Sequence, residues 1–259
     1  MVKYDLIKDL LVFLFVYVPP IVIFIRFSRE RNISKILLTI IALVYLIASL
    51  FTNNIFPFIF TVINIRYLKK ANRVYSLCLS NENLKHTLSE RLSDDFKRFG
   101  FSLKEFNLIS AIKLTAFSYV VIIIIANIET MIVSIFNVQV KEQEVVTWMS
   151  NMPLNRFLII IPIVIIFAPI LEEFIFRWLI FEKIFTPRIG IYLAALLSST
   201  IFGFIHFNLR AFPLLIWIGM YNCYLIEKKG YWYSVFNHFT FNFITTMVLL
   251  ITKLSKVNM

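Results

Sequence analysis

Apolar runs near or above the length of a bilayer crossing alternate along this chain with short polar breaks, most of them basic. About 20 apolar residues make one crossing helix. The first run lies within a helix expected over about 6–25, with Pro19-Pro20 set to kink it. Arg26, Arg29, Arg31 and Lys35 form a basic loop after it. The run 36–68 is too long for one straight span and carries Thr52-Asn53-Asn54 near its middle. That insert reads as the tight turn of a helical hairpin. Residues 69–106 are polar and mixed in charge, as amphipathic helices outside the bilayer core would be. Further spans are expected at about 107–127, 157–184, 190–209, 212–226 and 231–252. The pattern predicts an all-α fold, a polytopic transmembrane helix bundle of about eight spans.

Composition agrees. Hydrophobic residues make up 59% of the 259, charged residues 16%, and mean hydropathy is +0.81. A soluble domain of this size could not bury so much apolar surface. No small-residue cleavage pattern follows the first run, so it reads as a retained helix. The lipid bilayer is therefore the first expected partner. The formal charge of +11 raises the question of nucleic acid. No basic stretch forms a separate soluble domain, and cytoplasmic loops of membrane proteins collect Lys and Arg, so no nucleic-acid partner is expected. Cys78 and Cys223 offer neither metal-ligand spacing nor a disulfide framework.

The predicted spans divide the basic residues unevenly. Seventeen lie on one side, in the loops around Arg26–Lys35, Arg66–Lys104, Lys183–Arg188 and Lys228-Lys229. Seven lie on the other: Lys3, Lys8, Lys141, Arg156, Arg210, Lys253 and Lys256. The first side is then cytoplasmic and both termini lie on the far side.

Ionisable residues inside apolar helices carry the chemistry, because each costs about 2.5–3.5 kcal/mol or more at the bilayer centre unless paired or hydrated. Glu172, Glu173 and Arg177 fall in one such helix. Glu173 and Arg177 are four apart on one face, in the favourable acid-before-base order. Glu172 points about 100° away and has no local partner, which suits a group that takes and returns protons. Pro169 frees a backbone carbonyl near by. His206 closes Phe202-Gly203-Phe204-Ile205-His206, and His238 shares a face with Asn242. His86 lies in the polar segment and reads as an ordinary exposed residue. At about 1.5 Å per residue from the basic helix ends, Glu172 lies roughly 18 Å deep, His206 roughly 25 Å and His238 roughly 12 Å. Helix tilt can bring the three together.

Glu172-Glu173 with Arg177, Phe202 with His206, and His238 with Asn242 stand as EExxxR, FxxxH and HxxxN. In order and spacing they resemble the CPBP family, which includes the CAAX prenyl endopeptidases and bacterial bacteriocin-processing and self-immunity proteins. The resemblance covers about residues 155–250. It divides the chain into 151–259, a catalytic transmembrane core, and 1–150, N-terminal helices with the polar segment and no usable motif. It implies an intramembrane endopeptidase with a cavity opening toward the cytoplasm, acting on a membrane-associated peptide or protein. Glu172 would activate water, His206 would hold it and shuttle the proton, and His238 and Asn242 would donate to the oxyanion. Glu173 and Arg177 would brace the helix. The family is often called metalloprotease, so no cofactor is certain and zinc is the one implied. If a metal is present, Glu172, His206 and His238 would hold it; HExxH is absent. Two other classes stay open: a non-catalytic membrane immunity or regulatory protein of the same fold, and a small proton-coupled transporter. The Lys-, Ile-, Asn- and Phe-rich composition points to an AT-rich bacterial genome and a bacterial plasma membrane. A bacteriocin precursor, signalling peptide or membrane protein is then a better substrate than a prenylated one.

Overall fold

The computed structural model describes residues 2–52, 54–75, 87–136 and 144–257. Asn53 of the expected turn, Cys78, His86 and Lys141-Glu142-Gln143 lie outside the described residues. Among the described residues, eight long helices form the bundle: α1 (Ile7–Arg29), α2 (Lys35–Thr52), α3 (Ile55–Tyr75), α4 (Leu108–Phe136), α5 (Leu154–Ile189), α6 (Ile191–Phe204), α7 (Phe212–Lys228) and α8 (Tyr231–Val257). Helices α1, α2, α4, α5 and most of α8 are long and apolar enough to cross a membrane. Helix α6 is apolar but shorter, and α3 carries Arg66, Lys69, Lys70 and Arg73 in its second half. The chain is an integral membrane protein.

The lipid-facing surface is visible directly. Helix α4 leaves Ile109, Ile112, Val120 and Ile123 more than half exposed, and α2 does the same with Ile36, Leu43 and Val44. Apolar residues on the outside of a bundle are stable against acyl chains, not against water. The hairpin expected around Thr52–Asn54 is present, with α2 ending at Thr52 and α3 beginning at Ile55. Pro19 and Pro20 are absorbed inside α1 behind a π-helical turn at Phe13–Tyr17. Two hydrogen bonds tie that stretch to the hairpin, Tyr45 Oη to the Tyr17 carbonyl at 2.6 Å and Asn64 Nδ2 to the Pro20 carbonyl at 2.8 Å.

The described part of the polar segment that follows α3 packs against the protein. Two short helices, Leu88–Arg91 and Asp95–Arg98, fold up against the end of the bundle. Leu92, Phe99 and Phe101 are buried in the same apolar cluster as Leu171, Phe174, Trp178 and Tyr231. Asp95 anchors the segment, accepting from Trp178 Nε1 at 2.9 Å and from Lys183 Nζ at 2.8 Å. The backbones meet where Gly100 and Gly230, both at positive φ, leave room: a Cβ on either would stand 3.1 Å from the other's Cα. The Tyr231 N–H donates to the Phe99 carbonyl across this contact. Aromatic anchors at 96–101, more than the average polarity, decide where the segment goes.

Candidate active site

Helix α5 is irregular where the chemistry lies. It is π-helical over Ile163–Phe167 and again over Phe174–Phe185, with a short α-helical stretch, Ala168–Glu173, between them. Such bulges frequently mark functional sites, because they re-aim side chains and release backbone groups. Here the released group can be named. The Ala168 N–H reaches back to the Ile163 carbonyl, and the next residue in that register, Pro169, has no N–H to give Val164. Asn242 Nδ2 donates to the Val164 carbonyl instead, at 2.9 Å. The proline that loosens α5 thus creates the seat for the asparagine of α8.

Glu172, His206, His238 and Asn242 line one cavity of about 210 Å3, together with Asn54, Ile163, Val164, Ala168, Phe202 and Phe241. The four candidates come from α5, the turn after α6, and α8. His206 lies in that turn and not in a helix as expected, because α6 stops at Phe204 and Phe207 takes the left-handed conformation with φ of 48°. Its placement survives this early stop through a bond to its own helix, His206 Nδ1 to the Phe202 carbonyl at 2.7 Å. A carbonyl only accepts, so Nδ1 carries the proton and Nε2 keeps its lone pair.

Glu173 faces away from the cavity and is fully buried, as is Arg177. Arg177 Nε stands 3.2 Å from Glu173 Oε2, while the guanidinium lies over the Phe202 ring at 4.6 Å. None of its nitrogens makes a well-aligned hydrogen bond, so charge and ring contact hold the pair more than directional bonding. The carboxylate has three further donors: Asn222 Nδ2 at 3.0 Å, Ser234 Oγ, and His238 Nδ1 at 2.8 Å. Asn237 Nδ2 donates to Asn222 Oδ1 at 2.8 Å and extends the network across α7 and α8. Glu173 therefore fixes a catalytic candidate as well as bracing the helix. His238 Nε2 then looks toward Glu172, whose Oε2 is 3.7 Å away. Glu172 is the more exposed carboxylate, with 14% of its side chain accessible against none for Glu173.

Sequence reasoning missed Asn54, Asn222, Ser234 and Asn237. The last three were legible as polar residues within apolar helices, at positions with no charge to draw attention. Asn54 was read only as a turn residue, although it lines the cavity.

Among the described residues, no three His, Cys, Asp or Glu side chains are grouped closely enough to hold a metal ion, the trio of Glu172, His206 and His238 included. No step is derived through a metal.

Asn54 and His206 bound the cavity at the bundle end where α2 and α6 finish, whereas Lys183, Arg188, Lys228 and Lys229 lie at the opposite end.

Comparison with known proteins bears on the stretch that carries the paired glutamates, the two histidines and the asparagine. Residues 154–244, which include all seven motif positions, match the family described as type II CAAX prenyl endopeptidase Rce1-like. The chain is also similar to the protein named "Putative membrane peptidase YdiL" of Bacillus subtilis (strain 168), 36% identical over 86 residues. That stretch covers 32% of this chain and 35% of the relative. No solved structure matches the chain.

Proposed function

We propose that the chain is an intramembrane endopeptidase that hydrolyses a peptide bond in a membrane-associated peptide or protein by activating water without a metal. The observation that carries this reading is the convergence of Glu172, His206, His238 and Asn242 on one small cavity within a membrane bundle. Water held between the Glu172 carboxylate and His206 Nε2 loses its proton to Glu172 as it attacks the carbonyl carbon of the scissile bond. The resulting oxyanion is met by donors, His238 Nε2–H when the ring is protonated and the second Asn242 amide hydrogen. Glu172 then passes that proton to the leaving amine, directly or by way of His206 Nε2, and the C–N bond breaks.

The charge balance supports this division of labour. Glu173 and Arg177 cancel, and a protonated His238 between Glu172 and Glu173 brings the four groups to zero net charge in a low-dielectric site. Nδ1–H of His238 is engaged by Glu173 whether or not the ring is charged, so the mobile proton sits at Nε2, on the cavity side.

The test compares membranes carrying the wild-type chain with membranes carrying Glu172→Gln. New protein termini are identified by mass spectrometry. Termini present only with the wild-type chain support hydrolysis and name the substrate. Identical terminus profiles, from two well-folded proteins, favour the non-catalytic regulatory role.

A further inference from the structure

We infer that Asn54, in the turn between α2 and α3, is a substrate-binding residue whose side-chain amide pairs with the substrate's backbone beside the scissile bond. This deepens the proposed proteolytic reading, on which it rests, and takes the site beyond residues 154–244.

Packing of α3 on α5 puts Asn54 there. Helix α3 lies against both Ile163–Phe167 and Ala168–Glu173 of α5, the stretches that supply Ile163, Val164, Ala168 and Glu172 to the cavity wall. Phe58 of α3 stacks on Phe167, with ring centroids 4.3 Å apart and 11° between the ring planes. Asn54 precedes Phe58 by one helical turn, and the Phe58 N–H donates to the Asn54 carbonyl at 2.9 Å. Glu172 follows Phe167 in the next stretch of α5. One pair of rings thus fixes the hairpin turn against the helix that carries the glutamate.

The turn itself makes no use of the Asn54 amide. An asparagine at the start of a helix ordinarily accepts from the N–H of the second or third helical residue. The third residue of α3 is Pro57, which has no N–H. No hydrogen bond joins the Asn54 side chain to another of the described residues. It lines the cavity all the same.

The other polar groups of the cavity have bonds that hold them. Asn242 Nδ2 donates to the Val164 carbonyl, His206 Nδ1 to the Phe202 carbonyl, and His238 Nδ1 to Glu173. Glu172 is the base. A side-chain amide offers a donor and an acceptor together, the complement of one peptide unit. A substrate backbone that enters among Ile163, Phe202, Ile218 and Phe241 gives up water, and an unpaired peptide group in such surroundings is costly. Asn54 meets that need on the substrate's N–H and C=O. Bonds made on entry and kept through the reaction contribute to binding, not to the chemical step.

The test uses the purified full chain and, as probe, a synthetic peptide spanning the cleavage site found in the terminus profile. Asn54→Ala should raise KM by about tenfold and leave kcat within about twofold, with melting in detergent unchanged. Asn54→Ser keeps a side chain suited to turns but lacks the paired donor and acceptor, so it should do the same. It also keeps the result readable if the alanine variant folds poorly. Ester bonds, which lack the N–H, then replace the peptide bonds flanking the scissile one, singly. One ester should raise KM for the wild type and make no difference to Asn54→Ala. Variants with wild-type KM overturn the inference, as does a fall in kcat at constant KM or an ester penalty equal in wild type and variant. A wild-type chain that cuts nothing defeats the proteolytic reading and this inference with it. An active wild type with unaffected Asn54 variants defeats the inference alone.

Discussion

His238 Nδ1 stands 2.8 Å from Glu173 Oε1, so the glutamate outside the cavity orients the histidine that lines it. The first carboxylate of the pair is a candidate for chemistry, and the second controls which imidazole nitrogen faces it. Adjacent residues on a helix point about 100° apart, which lets one sequence pair serve both the cavity and the buried network behind it.

Removing Glu173 should cost stability before it costs anything else. Glu173→Ala leaves Arg177 buried without its counter-charge and strands Asn222, Ser234 and His238. Breaking one side of a buried pair typically costs about 3–5 kcal/mol. Adding Arg177→Ala removes the orphaned charge, so the double variant should melt higher in detergent than the single. A double variant that melts no higher would show that Arg177 is not held by Glu173.

Asn242 has two roles to separate. Its amide satisfies the Val164 carbonyl, so Asn242→Ala should lower melting by the cost of one buried unpaired acceptor, about 1–3 kcal/mol. If it also donates to the oxyanion, turnover should fall by about 10²–10³ with little change in KM. Asn242→Asp refines this: a protonated Asp can donate and an ionised one repels, so its relative activity should rise as pH falls. A raised KM at constant kcat would make Asn242 a substrate contact.

Asp95 gives a pH signature outside the membrane-spanning helices. Burial raises its pKa, and Lys183 beside it opposes this only in part. In the window between the ordinary carboxylate value and the raised one, the folded chain holds a proton that the unfolded chain has released. Stability therefore falls as pH rises through that window. Asp95→Asn removes the titration, so its melting temperature should gain on wild type with rising pH and then level off. A difference constant with pH contradicts the burial argument.

Metal dependence is decided by stoichiometry and activity together. Metal-free protein should cleave the substrate identified from membranes at its full rate, and zinc should restore nothing. Activity lost to a chelator and regained with about one equivalent of zinc would reassign Glu172, His206 and His238 as ligands.

Much of this was legible in sequence because a charge in an apolar helix has few stable explanations. Glu172, Glu173, Arg177 and His238 stand out against their neighbours, and the i, i+4 spacing gave the Glu173–Arg177 pair directly. Long-range partners were not legible. Nothing local links Glu173 to Asn222 or Ser234, and uncharged amides and hydroxyls do not announce a network. Nor could a helical period anticipate the π turns of α5 that hand the Val164 carbonyl to Asn242. The docking of the segment around Asp95 was not legible either, because average polarity says nothing of the few aromatic residues and the one buried carboxylate that hold it beneath α5.

The most direct test of the central claim is the rate of peptide-bond cleavage by purified Glu172→Gln, measured on the substrate found in the terminus profile. The substitution keeps the side chain's shape and removes only the base. Cleavage should fall by about 10²–10⁴ with melting unchanged. A Glu172→Gln protein that cleaves at near the wild-type rate would contradict the assignment of Glu172 and the mechanism built on it.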